Sequence, residues 1–256
     1  SVGAGQSYRV QELDVQLDGV LLSKLTEAEQ ATVTLTLKRA DAGPQDEPVV
    51  ISRKVELLPR NQWGGIAHMP DMIAAFVQPN EPAIDRLLKK AADVLRDNGK
   101  DASLDGYKGG PKRAWEIASA IWGAVVGMKL DYALPPASFE HSGQKIRSSG
   151  QIADSGLATC LDLALLFCSA LEQAGLNPLL VFTKGHAFAG VWLKHEEFSA
   201  SVVDDITALR KRVMLKFADL AQQVHQQLGV VHVGQLQLVA AIIEPAALLL
   251  RVPQLA

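Results

Sequence analysis

Cys160 and His186 are the residues whose types and spacing fit a nucleophile and its base. Cys160 follows Thr159 at the predicted start of an apolar helix. There, unpaired backbone N–H groups and the positive end of the helix dipole favour a thiolate. The same N–H groups can form half of an oxyanion hole. A thiol nucleophile also needs a base, most often a histidine held by a third group. His186 opens a predicted strand, and Asp204 and Asp205 lie further on. If residues 186–193 and 201–205 pair as a hairpin centred near His195, His186 stands opposite Asp204 on one face. Asp205 then points to the other face, so Asp204 is the preferred acid and Asp205 the alternative. A Cys-His-Asp set of this kind attacks an amide carbonyl, protonates the leaving amine and passes the acyl group to water or to another amine.

The helix that must carry Cys160 is well signalled. Thr159 and Asp162 have the spacing of a capping box, and the apolar run 161–174 ends at Gly175, with Asn177-Pro178 outside it. Because it is apolar on nearly every face, it is expected to be central and buried. Asp162 reads as its cap, and Cys168, in its interior, as a core spectator. The two cysteines are eight positions apart in one helix, a rise of roughly 12 Å. A disulfide tolerates about 7 Å between Cα atoms, so they cannot bridge. A reducing, cytoplasmic setting is the expectation.

The first ~60 residues read as β-rich, with 31–37 (ATVTLTL) and 49–58 as strands around a Gly43-Pro44 turn and 10–17 as a third candidate. Helical spacing then takes over, with an amphipathic helix at 83–98 and a second at 111–128. A mixed-polarity loop is expected at 132–156, short strands at 179–183 and 186–193, and a helix at 213–228. The expected division is 1–59, a small or partial β-sandwich, and 60–256, an α+β domain.

Composition narrows the function classes. Hydrophobic residues make up 48% and charged residues 21%, an ordinary globular balance. A net charge of −3 gives no electrostatic case for direct nucleic-acid binding by this chain. The most apolar stretch, 238–252, is interrupted by Glu244-Pro245 and is shorter than the ~20 residues a spanning helix needs, so no membrane association is expected. His68, His141, His195, His225 and His232 have no ligand partner at metal-site spacing, so neither metal nor cofactor is expected. Arg210-Lys211-Arg212 reads as a solvated face, and Trp115, Trp122 and Trp192 as core. No GxxxxGK[ST] phosphate loop occurs.

Taken in order, LATCLD (157–162), GLNP (175–178), GHAF (185–188) with Trp192, and VVD (202–204) resemble the transglutaminase-like superfamily, a papain-like cysteine-proteinase fold. The resemblance spans about residues 63–213. It implies Cys160 as nucleophile, His186 as base and Asp204 as orienting acid, with a protein or peptide substrate. Ala158 stands where members often carry glycine. The second oxyanion donor could be the side-chain amide of Gln144 or Gln151, and Gln144 is preferred. A narrower likeness rests on 74–80 (AAFVQPN), 132–136 (YALPP) and 143–147 (GQKIR). These resemble an uncharacterised region near the front of large bacterial helicase- and nuclease-containing proteins. That likeness implies a fragment of a larger parent chain, with other domains as partners and a setting in nucleic-acid processing. The alternative reading is an inactive protein-interaction module on the same fold.

Overall fold

In the computed structural model, residues 5–7, 9, 18–39, 41–205, 207–208 and 248–251 are described, the last four by backbone alone. The chain separates into two compact units, Ser1–Gln62 and Trp63–Ala256, a division three residues beyond the expected one at 59/60.

The first unit holds a short helix, α1 (Gly19–Lys24), and two antiparallel strands, β1 (Glu29–Leu37) and β2 (Val49–Leu57). The strands pair Leu35 with Ile51 and Leu37 with Val49, while Thr34 faces Ser52 on the other side. β-Branched residues at alternating positions explain this two-faced hairpin. Among the described residues the unit has two strands; the candidate at 10–17 lies outside them.

The second unit mixes helix and strand. A two-residue strand, β3 (Gln62–Trp63), reaches it, and a 3₁₀ turn follows at Asp71–Phe76. Helix α2 (Pro82–Asp97) buries Ile84, Leu87, Leu88, Ala91 and Leu95, the stripe expected from its spacing. Helix α3 (Gly110–Val126) starts with proline at its first turn and buries Ile117 and Ile121.

The stretch expected as a loop from 132 to 156 is largely ordered into short elements: β4 (Asp131–Tyr132), α4 (Phe139–Ser142), β5 (Gln144–Lys145) and α5 (Ser149–Ser155). Helix α5 starts on a reciprocal capping box between Ser148 and Gln151. Gly143 adopts φ 81°, and a side chain there would run into the backbone of Trp63 and Gly64. That close approach seats residues 143–145 against Trp63, which is fully buried.

After β6 (Leu157–Ala158), helix α6 (Cys160–Gln173) is the core of the unit, with residues 160–171 all buried. A four-stranded sheet packs against it in the order β8 (His186–Val191), β7 (Pro178–Thr183), β10 (Leu248–Arg251), β9 (Val202–Val203). Each neighbouring pair is antiparallel. Leu180, Phe182, Ala187 and Ala189 join the main core with α6. Leu179 and Val181 form a smaller cluster with Trp192 and Phe198, with Phe188 packed against it.

The sheet corrects one expectation. Residues 186–193 do not pair with 201–205, because β7 and β10 stand between the two strands. Strands close in sequence usually pair with each other, but here a strand from residues 248–251 enters between them. The expected helix at 213–228, and Arg210-Lys211-Arg212, lie outside the described residues.

Candidate active site

Thr159 is extended and caps α6: its hydroxyl accepts from the Asp162 N–H (3.2 Å), and the Asp162 carboxylate accepts from the Thr159 N–H (2.9 Å). Asp162 is wholly buried and also accepts from the backbone N–H and the guanidinium of Arg147, both at 2.9 Å. The expected capping residue is therefore also the tie between α6 and the segment before α5. This network fixes Cys160 as the first helical residue.

Four groups bear on the Cys160 sulfur. Burial acts most strongly and raises the thiol pKa above its ordinary value. Against it act the backbone N–H of Ala187, the hydroxyl of Tyr132 and the N–H groups of Leu161 and Cys160 itself, all of which favour the thiolate. Burial wins, so the resting thiol holds its proton more tightly than a free cysteine does. The helix terminus supplies the donors expected of it, but the closed surroundings outweigh them. Cys160 is only 3% exposed.

His186 is the first residue of β8, directly before Ala187. Side chains alternate along a strand, and Ala187 and Ala189 take the face toward α6. His186 shares the opposite face with Phe188, their ring centroids 6.2 Å apart. Its pKa is lowered by burial. The structure thus brings the backbone next to His186, and not the imidazole, to the sulfur.

Asp204 follows β9 and is exposed. Three strand spacings, roughly 14 Å, separate β9 from β8. Asp205 accepts from the backbone N–H and hydroxyl of Thr207 in a local turn. Neither acid is brought to His186, for the reason that overturned the hairpin.

Gln144 is 3% exposed, and its Nε2 donates to the Thr159 hydroxyl at 2.9 Å. Among the described residues its Oε1 has no donor. Turned over, the amide would accept the Thr159 O–H and leave its own N–H₂ group free in that buried space. Gln151, the other amide considered, is used in the α5 capping box.

Tyr132 is the residue that sequence reasoning missed. β4 runs parallel to β6, with Tyr132 beside Ala158, and Ala133 N–H donates to Ala158 O at 2.9 Å. That pairing brings Tyr132 near Cys160, which acts on its hydroxyl. Burial, followed by repulsion from the Cys160 sulfur, pushes its pKa up to about 12. The parallel pairing links the two across 28 residues of sequence.

Cys168 is buried with its Sγ 3.8 Å from Leu179 O, and both cysteines are free thiols. Among the described residues no group of three or more His, Cys, Asp or Glu side chains is placed to hold a metal ion. No helix among them is long and apolar enough to cross a membrane. Comparison of the chain with protein-family models, with curated proteins and with solved structures finds no match in any of the three.

Proposed function

We propose that this chain carries a cysteine-dependent acyl-transfer site, a peptidase or amidase or a related acyl transferase, on a transglutaminase-like fold. The observation that carries the reading is the setting of Cys160. It starts a buried central helix, and N–H donors from Cys160, Leu161 and Ala187 converge on it. A core cysteine has no use for such an array, whereas a nucleophile that must stabilise a thiolate and then an oxyanion does. Cys160 is the nucleophile. His186 is the base, one residue from the Ala187 N–H that reaches the sulfur; its side chain must turn toward α6 to act. Asp204 has no part in this proposal, because the sheet holds it away. The substrate class is a protein or peptide amide, and the chain would act as a module of a larger bacterial protein of the helicase- and nuclease-containing kind.

A second reading, an interaction module without turnover, is favoured by one observation: among the described residues no charged or hydrogen-bonding side chain acts on His186. The pH dependence of Cys160 alkylation by iodoacetamide, in the native chain and in Cys160→Ala and His186→Ala, separates the two. The catalytic reading expects alkylation at Cys160 that slows at least about tenfold at neutral pH in His186→Ala. Identical profiles with and without His186 support the module and refute the nucleophile–base pair.

A further inference from the structure

We propose that the outer edge of β4 is where an extended peptide substrate pairs, its backbone bonded to the N–H and C=O of Tyr132 and to the N–H of Leu134. The inference rests on Cys160 being the nucleophile and names how its substrate is held. Asp131 N–H donates to Gly156 O at 2.7 Å and Ala133 N–H to Ala158 O at 2.9 Å, so both residues turn their backbone toward β6. Backbone groups of neighbouring strand residues point to opposite edges. Tyr132, between them, presents its N–H and C=O on the far edge, and Leu134 presents its N–H there. Among the described residues no third strand joins this pair. Leu134 stands before Pro135, which favours extended backbone at that position. Pro135 and Pro136 carry no N–H, so the open edge ends with them.

Two features define the occupant. Tyr132 and Leu134 share one face by strand alternation and are 46% and 87% exposed. Free donors and acceptors beside open apolar side chains are satisfied by the backbone of an extended chain that carries an apolar residue there. The edge also lies close to the nucleophile, because β6, the partner of β4, runs through Thr159 into Cys160. A chain on the far edge of β4 is two strand spacings from β6, roughly 10 Å, a gap that three extended residues span. The substrate class is therefore an unfolded or flexible protein segment. A peptide already paired within a folded element has no backbone groups to offer.

The test uses the full chain, as wild type, Leu134→Pro, Leu134→Ala and Met72→Ala, an exposed apolar residue elsewhere. Iodoacetamide reports on free Cys160: an S–C bond forms as iodide leaves, and the thiol proton goes to solvent. The probes are acetyl-glycinal, acetyl-Thr-Val-Thr-Leu-Ala-glycinal and the long aldehyde with every peptide nitrogen methylated. Each forms a hemithioacetal, in which Sγ adds to the aldehyde carbon and the proton ends on its oxygen. Main-chain pairing tolerates most side chains, so one long sequence suffices. The readout is the aldehyde concentration that halves the rate of Cys160 alkylation. In wild type and Met72→Ala the long probe should need about 10-fold less than the short one, the effect of two net hydrogen bonds less ordering. Leu134→Pro, which removes one N–H, should lose about 5-fold of that gain. Leu134→Ala should keep most of it, and the methylated probe should show almost none in wild type. No gain in wild type, an equal gain for the methylated probe, or equal losses in Leu134→Ala and Leu134→Pro would each overturn the pairing. The methylated probe decides the matter in wild type even if Leu134→Pro fails to fold. If the short aldehyde protects Cys160 but lengthening adds nothing, only the pairing fails. If Cys160 neither alkylates nor binds any aldehyde, the nucleophile reading fails with it.

Discussion

Replacing Asp162 by alanine removes one buried carboxylate and strands the groups it serves. Its oxygens accept from Thr159 N–H, Arg147 N–H and the Arg147 guanidinium, each at 2.9 Å. The Thr159 N–H is buried, so leaving it unsatisfied costs about 1–3 kcal/mol. The Arg147 N–H is half-buried and adds about 1 kcal/mol. The guanidinium, on a side chain 35% exposed, can turn to water and adds about 1 kcal/mol at most. The expected loss is about 3 kcal/mol. Asparagine is isosteric but puts an N–H₂ group where Oδ2 now receives two donors, or where Oδ1 receives one, so Asp162→Asn should cost nearly as much. Urea unfolding followed by tryptophan fluorescence measures this directly, because all four tryptophans lie within Trp63–Ala256. The midpoint should shift at constant slope. A loss below about 1 kcal/mol for alanine, or an asparagine variant as stable as wild type, would refute the account of this network.

Three further outcomes follow from the same geometry. Burial raises Glu172 from an ordinary 4.5 to about 7, and its Oε2 has no donor among the described residues. The folded state thus holds a proton that the unfolded chain releases earlier, and stability should fall as pH rises from 4.5 to about 7. Glu172→Gln should flatten that fall in thermal melts; an unchanged pH dependence would contradict it. Gly143→Ala combines φ 81° with collision against the Trp63 backbone, whereas Gly156→Ala, at φ 67°, meets nothing within 4 Å. The first should cost more than about 2 kcal/mol and the second about 1 kcal/mol in urea midpoints, and equal costs would refute the close approach. Cys168 is fully enclosed, and burial raises its pKa far above the thiol range. Mass spectrometry after iodoacetamide should find one adduct, at Cys160, on the native chain and two in urea; a native Cys168 adduct would place that side chain wrongly.

Local chemistry made much of the scaffold legible. Thr159 and Asp162 announce the start of α6 because a cap is made by residues three apart, and the apolar stripe of 83–98 announces α2 because helical periodicity is a property of neighbours. The same holds for the 29–37/49–57 hairpin, whose turn residues and alternation sit together in the chain. The short elements within 132–156 were hidden because each is only a few residues long, too short to show a period.

What the sequence by itself determined was that Cys160 begins a buried helix and that His186 begins a strand. Which face His186 takes was decided by tertiary structure: HAFAGV is apolar at nearly every position, so the strand has no readable phase, and one residue of register exchanges its faces. The distance from His186 to Asp204 was likewise set by β10, a strand from 248–251 that enters the sheet between them. The placing of Tyr132 near Cys160 depends on a parallel pairing between segments far apart in sequence. Strand pairing is a long-range choice made by the core as a whole, and no local spacing encodes it.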